Sequence, residues 1–182
     1  KAATSGKSPD CVVMNVTIRS MKLHGGAFGS RGGYRPSKEE LETENIEAVA
    51  TGAATNLDRH IRNMAGFGVP VIVSINKFAS DTDGEIKALS DAAHASGANA
   101  VTITEVHAKG SEGGKDLAKA VVKAIQDHVA AGRPFTPLFL NDSPIMEKVE
   151  AIATRMYKAK AVYVETPAKK QLDKIISWGY GN

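Results

Sequence analysis

Gly68-Val69-Pro70-Val71-Ile72-Val73-Ser74-Ile75-Asn76-Lys77-Phe78-Ala79-Ser80-Asp81 is the stretch on which the fold turns. Val69 to Ile75 is an apolar, β-branched run without alternation, bounded by Gly68 and a polar loop. Such a run predicts a strand buried on both faces, as in a parallel sheet. Asn76 opens the loop, and Thr82 with Glu85 three residues on is a capping box that starts a helix, with Asp81 and Asp83 suited to its positive end. Ligands of parallel α/β sheets bind at the carboxyl ends of the strands. The loop at Asn76, Lys77 and Phe78 is therefore the first ligand-site candidate.

The flanking sequence repeats the alternation of strand and helix. Cys11 to Ile18 reads as the first strand. It runs into Arg19-Ser20-Met21-Lys22-Leu23-His24-Gly25-Gly26, after which Gly29, Gly32 and Gly33 keep the backbone open. Basic side chains and an imidazole ahead of a glycine-rich loop suit an anionic ligand such as phosphate, because glycine lets backbone approach closely. Surface charge beside a loop is the plainer alternative. Ser37 with Glu40 caps a helix bearing Leu41, Val49 and Ala53; Asn56 precedes a second helix with Leu57, Ile61 and Met64, which stops at Gly66 and Gly68. Ile86, Leu89 and Ala93 mark the helix after the central strand, and Ala100 to Val106 reads as the third strand. Its loop, Glu105 to Gly114, leads into a helix with Leu117, Val121, Ile125 and Val129. Gly132 to Pro144 is a connector. Beyond it come a helix through Met156, a short strand at Ala161 to Val164, and a last helix from Thr166-Pro167 to Gly179. The expectation is an α/β fold with a parallel sheet flanked by helices, divided into residues 1–131 and a smaller α/β segment, 132–182.

Composition narrows the function classes. The 182 residues carry a net charge of +3, with lysines and arginines interleaved with acids, which leaves no nucleic-acid footprint. Cys11 stands alone, so no internal disulfide forms, and this fits a reducing, cytoplasmic setting. No apolar run reaches membrane-spanning length, and no metal-ligand or Ser-His-Asp spacing occurs. Ser5-Gly6-Lys7-Ser8 imitates the end of a Walker A loop, yet the glycine and strand that must precede it are missing and Pro9 disfavours the helix that must follow. A chain that opens on Lys1 reads as part of a longer protein.

The Asn76-Lys77 pair with Asp81 behind it resembles the base-recognition loop of P-loop nucleotide-binding proteins, where an amide and a carboxylate read a purine edge. The spacing is longer than that of the guanine-specific form, Asn-Lys-x-Asp. The loop at Glu105 to Gly114 follows one strand later, where P-loop proteins close the other side of the base. The alternative is that Asn76 and Asp81 only satisfy loop backbone.

Over nearly its whole length the chain resembles formate–tetrahydrofolate ligases. Asn15-Val16-Thr17-Ile18-Arg19-Ser20-Met21-Lys22-Leu23-His24-Gly25-Gly26 meets one signature of that family. Asn56-Leu57 with His60-Ile61, Phe67-Gly68-Val69-Pro70-Val71, Asn76-Lys77-Phe78, Asp81-Thr82, Ala108-Lys109-Gly110 with Glu112-Gly113-Gly114, and Gly179-Tyr180-Gly181-Asn182 follow it as well. The resemblance implies a P-loop-like α/β fold and an ATP-dependent ligase. It would make formyl phosphate from formate and Mg-ATP, then transfer the formyl group to tetrahydrofolate, with a monovalent cation as accessory and a homo-oligomeric parent. It implies that Lys22 and His24 are catalytic, His24 lying near the phosphates or the acyl phosphate. Gly25, Gly26, Asn76, Phe78, Asp81, His107, Lys109 and Gly110 would bind nucleotide or folate, with Phe78 and His107 on either side of a bound ring. The family usually has Trp at the His107 position. Its Walker A loop lies upstream of the matched part, so these residues alone are expected to be inactive. A regulatory or assembly domain that binds nucleotide without catalysis, and a purely structural homologue, are the other classes open to the sequence.

Overall fold

A computed structural model describes residues 5–29 and 35–182; the expectation for Gly32 and Gly33 falls outside them. Strands β1 (Val12–Val16), β2 (Val71–Asn76) and β3 (Ala100–Thr104) form one parallel sheet in the order β1-β2-β3. Val16 pairs with Ile75, and Asn76 with Thr104, so the carboxyl ends of all three strands open on one edge. Asn99 fixes the start of β3: its side-chain oxygen accepts from Val71 N and its own N–H donates to Val71 O, both at 2.8 Å.

The expected helix order is present with altered boundaries. Ile18, placed in the first strand by its apolar character, instead begins helix α1 (Ile18–His24). Thr17 and Ser20 form a reciprocal capping box there, and Ile18, Met21 and Lys22 face inward at helical spacing. The Ser37 box opens only a short helix, α2 (Lys38–Glu42). The chain restarts at Asn45, whose side chain caps α3 (Ile46–Gly52), and continues through a π-helical turn (Ala53–Leu57) into α4 (Asp58–Ala65). The break therefore lies at residues 43–45, and not at Asn56. Helix α5 (Asp83–Ala95) follows β2 with the Thr82–Glu85 capping box in place. After β3 come one turn, α6 (Val106–Lys109), a 3-10 turn (Gly110–Gly114) and α7 (Lys115–Ala130).

The core lies on the face of the sheet that carries Val71, Val73 and Ile75, filled by Val16, Ile18, Met21, Val49, Ala53, Leu57, Ile61, Ile86, Leu89 and Ala93. Strand β2 is buried on both faces from Val71 to Ile75, as a central parallel strand requires.

The chain divides into two compact units, residues 10–134 and the described part of 1–9 together with 135–182. The second has α8 (Ile145–Ala151), extended by a π-helical turn (Ile152–Met156), and α9 (Thr166–Ser177) with Pro167 in its first turn. Ala161 to Val164 forms no strand, because no neighbouring edge among the described residues pairs with it; Tyr163 is 86% exposed. Residues 135–182 therefore carry helices joined by irregular segments, without the strand that the α/β pattern suggested.

Candidate functional site

The loop after β2 is a closed turn. Asp81 Oδ2 accepts from Phe78 N at 2.8 Å, and Asp81 N donates to Phe78 O at 3.0 Å. Both backbone polar groups of Phe78 are thereby satisfied inside the loop, and its ring is left half-buried at the sheet edge. Asp81 itself is buried. Burial pushes its carboxyl above the usual range, with Glu85 adding to the effect, while the Phe78 N–H, Arg19 and Lys22 pull the other way. Asn76 ends β2 beside Thr104, and Lys77 N donates to Thr104 O at 3.0 Å, tying this loop to the end of β3.

The neighbouring loop is shaped by glycine and one ion pair. Glu105 N donates to Gly113 O at 3.1 Å, and a Cβ on Gly113 would collide with the Glu105 carbonyl, so the segment folds back on its own start. Gly110 has φ 56° and ψ −143°, a conformation that side-chain-bearing residues avoid. Lys109 pairs with Glu105, and that hydrogen bond holds the Glu105 carboxyl below the usual range, with the Lys77 charge acting in the same direction. His107 is exposed on α6. Lys77, Glu105 and Lys109 thus share one rim of the sheet edge, and Phe78 and Asp81 the other.

The residues after β1 are placed differently from expectation. Where an open glycine-rich loop was expected, Thr17 caps a helix, and this turns Lys22 inward. Lys22 is 1% exposed. Its ammonium donates to Leu41 O at 3.1 Å and Thr43 O at 2.8 Å and pairs with Glu85 at 2.7 Å. All three donors are used, so none remains for a ligand. Lys22 is accordingly a structural anchor, whereas the resemblance implied a catalytic group. Glu85 is fully buried and also accepts from Asn45 N at 2.8 Å and Thr82 N at 3.2 Å. Burial alone would raise its carboxyl; the hydrogen bonds from Lys22, Asn45 and Thr82 outweigh that and hold it below the usual range.

Gly25 caps α1, and a Cβ on it would collide with the Ala48 carbonyl oxygen, just as one on Gly52 would meet the Met21 carbonyl. Its close approach is to helix α3 and serves packing. Gly26, at φ +83°, makes the turn that follows. His24 is exposed at the far end of α1, about 9 Å of helix rise from Ile18 at the sheet edge.

One contact was not foreseen. The Arg19 guanidinium carbon lies 4.3 Å from the centroid of the Phe78 ring, joining the first turn of α1 to the loop after β2. The sequence carried a signal for it, since Arg19 follows the end of a strand adjacent to β2, but the stacking partner is set by register. The sequence marks Glu85 as a helix cap alone; its second partner, Lys22, is 63 residues away in sequence, and only the folded arrangement brings the two together. Among the described residues, no group of three or more His, Cys, Asp or Glu side chains could hold a metal ion, and no helix is long and apolar enough to cross a membrane.

The family model described as formate–tetrahydrofolate ligase matches residues 1–182. A formate–tetrahydrofolate ligase of Granulibacter bethesdensis is 38% identical over all 182 residues, and one of Dinoroseobacter shibae is 39% identical over the same span. The chain spans 29% and 30% of the length of these two relatives.

Proposed function

Since the chain belongs to the formate–tetrahydrofolate ligase family, we propose that it forms part of an ATP-dependent ligase acting on formate and tetrahydrofolate through formyl phosphate. Mg-ATP, formate and tetrahydrofolate are the substrates on this reading, with a monovalent cation as accessory. The parent is a cytoplasmic homo-oligomer that acts on small molecules and not on nucleic acid. Within it, the edge formed by the ends of β2 and β3 holds a planar ring, of the nucleotide or of the pterin. Asn76 and Asp81 supply polar groups for the ring edge, and Phe78 a stacking face. His107, Lys109 and Gly110 form the opposing rim. His24, accessible at the end of α1 with Gly25 and Gly26 behind it, is the candidate for the phosphate side, where an imidazole can stabilise developing charge.

The observation that carries the ring assignment is the position of Phe78. A large aromatic side chain held half-buried at the carboxyl end of the central strand, with its backbone locked by Asp81, is a preformed stacking face and not a core residue. Stacking of a base on an aromatic side chain is worth about 1–3 kcal/mol by substitution. Phe78→Ala is expected to weaken binding of ATP or tetrahydrofolate by about ten-fold with little change in thermal stability. His107→Trp, which adds stacking area, is expected to hold or tighten it. Affinity measured beside thermal unfolding separates this from a packing role: an alanine variant with unchanged affinity and a large drop in melting temperature contradicts the assignment.

A further inference from the structure

We propose that Arg19 is a positioning residue for ring recognition: its guanidinium lies across one face of Phe78, fixes the ring, and leaves the opposite face for a planar heteroaromatic ligand. The inference rests on the ring-site reading above and adds to it a residue and a direction of approach.

The geometry begins with the sheet. Strands β1 and β2 are adjacent and parallel, and Val16 pairs with Ile75, so the segments leaving them start side by side. Thr17 caps α1 through Ser20 N at 3.1 Å, and Ser20 Oγ returns to Thr17 N at 3.4 Å. This fixes the first helical turn and so the direction in which Arg19 leaves it. At 4.3 Å from the ring centroid the guanidinium is well inside the range, about 6 Å, over which a cation is attracted to an aromatic face. Its Nε is buried and has no hydrogen-bond acceptor among the described residues. A buried donor left without an acceptor is unfavourable, so the side chain occupies this place for its contact with the ring.

Two consequences follow for a ligand. The face of Phe78 under Arg19 is taken, so a second ring stacks only on the other. The Phe78 ring is also held at two points, its backbone by Asp81 and its plane by Arg19, so less freedom is lost when a ligand binds. The charge behind the ring draws π-electron density toward itself. That lessens repulsion between the front face and the π-system of an electron-rich heterocycle.

The test uses this chain with two probes, adenosine and tetrahydrofolate, and measures dissociation constants by NMR titration for whichever binds, with thermal midpoints recorded in parallel. Arg19→Gln is expected to weaken ring binding about five-fold with the midpoint close to that of the unsubstituted chain, and Arg19→Lys to fall between the two. In a Phe78→Ala background, Arg19→Gln is expected to change nothing further, because it acts through the ring. If Phe78→Ala loses affinity and Arg19→Gln does not, the role of Arg19 is refuted while the ring site stands. If Arg19→Gln costs as much with Phe78 removed as with it present, Arg19 meets the ligand directly and the positioning role is refuted. If neither probe binds, or Phe78→Ala leaves affinity unchanged, the ring site itself fails and this inference with it. Should Arg19→Gln fail to fold, Arg19→Met, which keeps the aliphatic stem, takes its place in the same comparison.

Discussion

Asp81 carries a carboxylate where burial resists the charge. Its structural duty is to accept the Phe78 N–H, and the amide oxygen of an asparagine could do the same. A group whose pKa is raised in the fold adds stability that is full below its unfolded value, about 3.9 for Asp, and lost as pH rises through the folded value. At neutral pH Asp81 is therefore a liability to the fold. Asp81→Asn is expected to be more stable than the unsubstituted chain at pH 7, with the difference closing as pH falls below about 4. Urea unfolding at pH 7, 5 and 3.5 measures this, and an asparagine variant less stable at pH 7 would contradict it. The place of Asn76, Phe78 and Asp81 at the end of β2 was legible in the sequence, because an apolar run that stops at a polar loop marks a strand end. Lys22 was not. Residue by residue a lysine reads as surface, and only its spacing with Ile18 and Met21 puts it on the buried side of α1.

At the scale of elements, the Lys22–Glu85 pair explains why helix boundaries read from sequence were displaced. Lys22 takes the carbonyls of Leu41 and Thr43, and Glu85 takes the N–H of Asn45. The chain is gripped at these three positions, which is where α2 ends and α3 begins. The break at residues 43–45 is thus a tertiary effect, while Asn56, a local breaker by propensity, is absorbed into a π-helical turn. Similarly, Gly25 lets the end of α1 and α3 touch backbone to backbone, a packing demand that its sequence neighbourhood does not reveal. Removing one partner of a buried ion pair strands the other charge, at a cost of about 3–5 kcal/mol. Lys22→Met is therefore expected to lose about that much stability in chemical denaturation. A loss under about 1 kcal/mol, the value of an exposed pair, would show that Lys22 is not an anchor.

On the scale of the whole chain, the alternation of strands and helices in residues 10–134 was readable because the strands are short, largely apolar runs bounded by glycine or a polar loop, and the longer helices keep their apolar period. Residues 135–182 were harder to read. None of the side chains there is buried, and Trp178 is 62% exposed, so no core constrains the pattern and the short run at Ala161 to Val164 had nothing to pair with. The account as a whole rests on one claim: the carboxyl edge of the three-stranded sheet binds the ring of a nucleotide or folate. The most direct measurement is a backbone amide map of the isotopically labelled chain titrated with ATP and, separately, with tetrahydrofolate. The expected result is saturable shifts at Arg19 and Ser20, Asn76 to Asp81, and Thr104 to Gly110, joined at His24 to Gly26 when the ligand is ATP, with the amides of 135–182 unmoved. Shifts that saturate while the first three segments stay silent would contradict it.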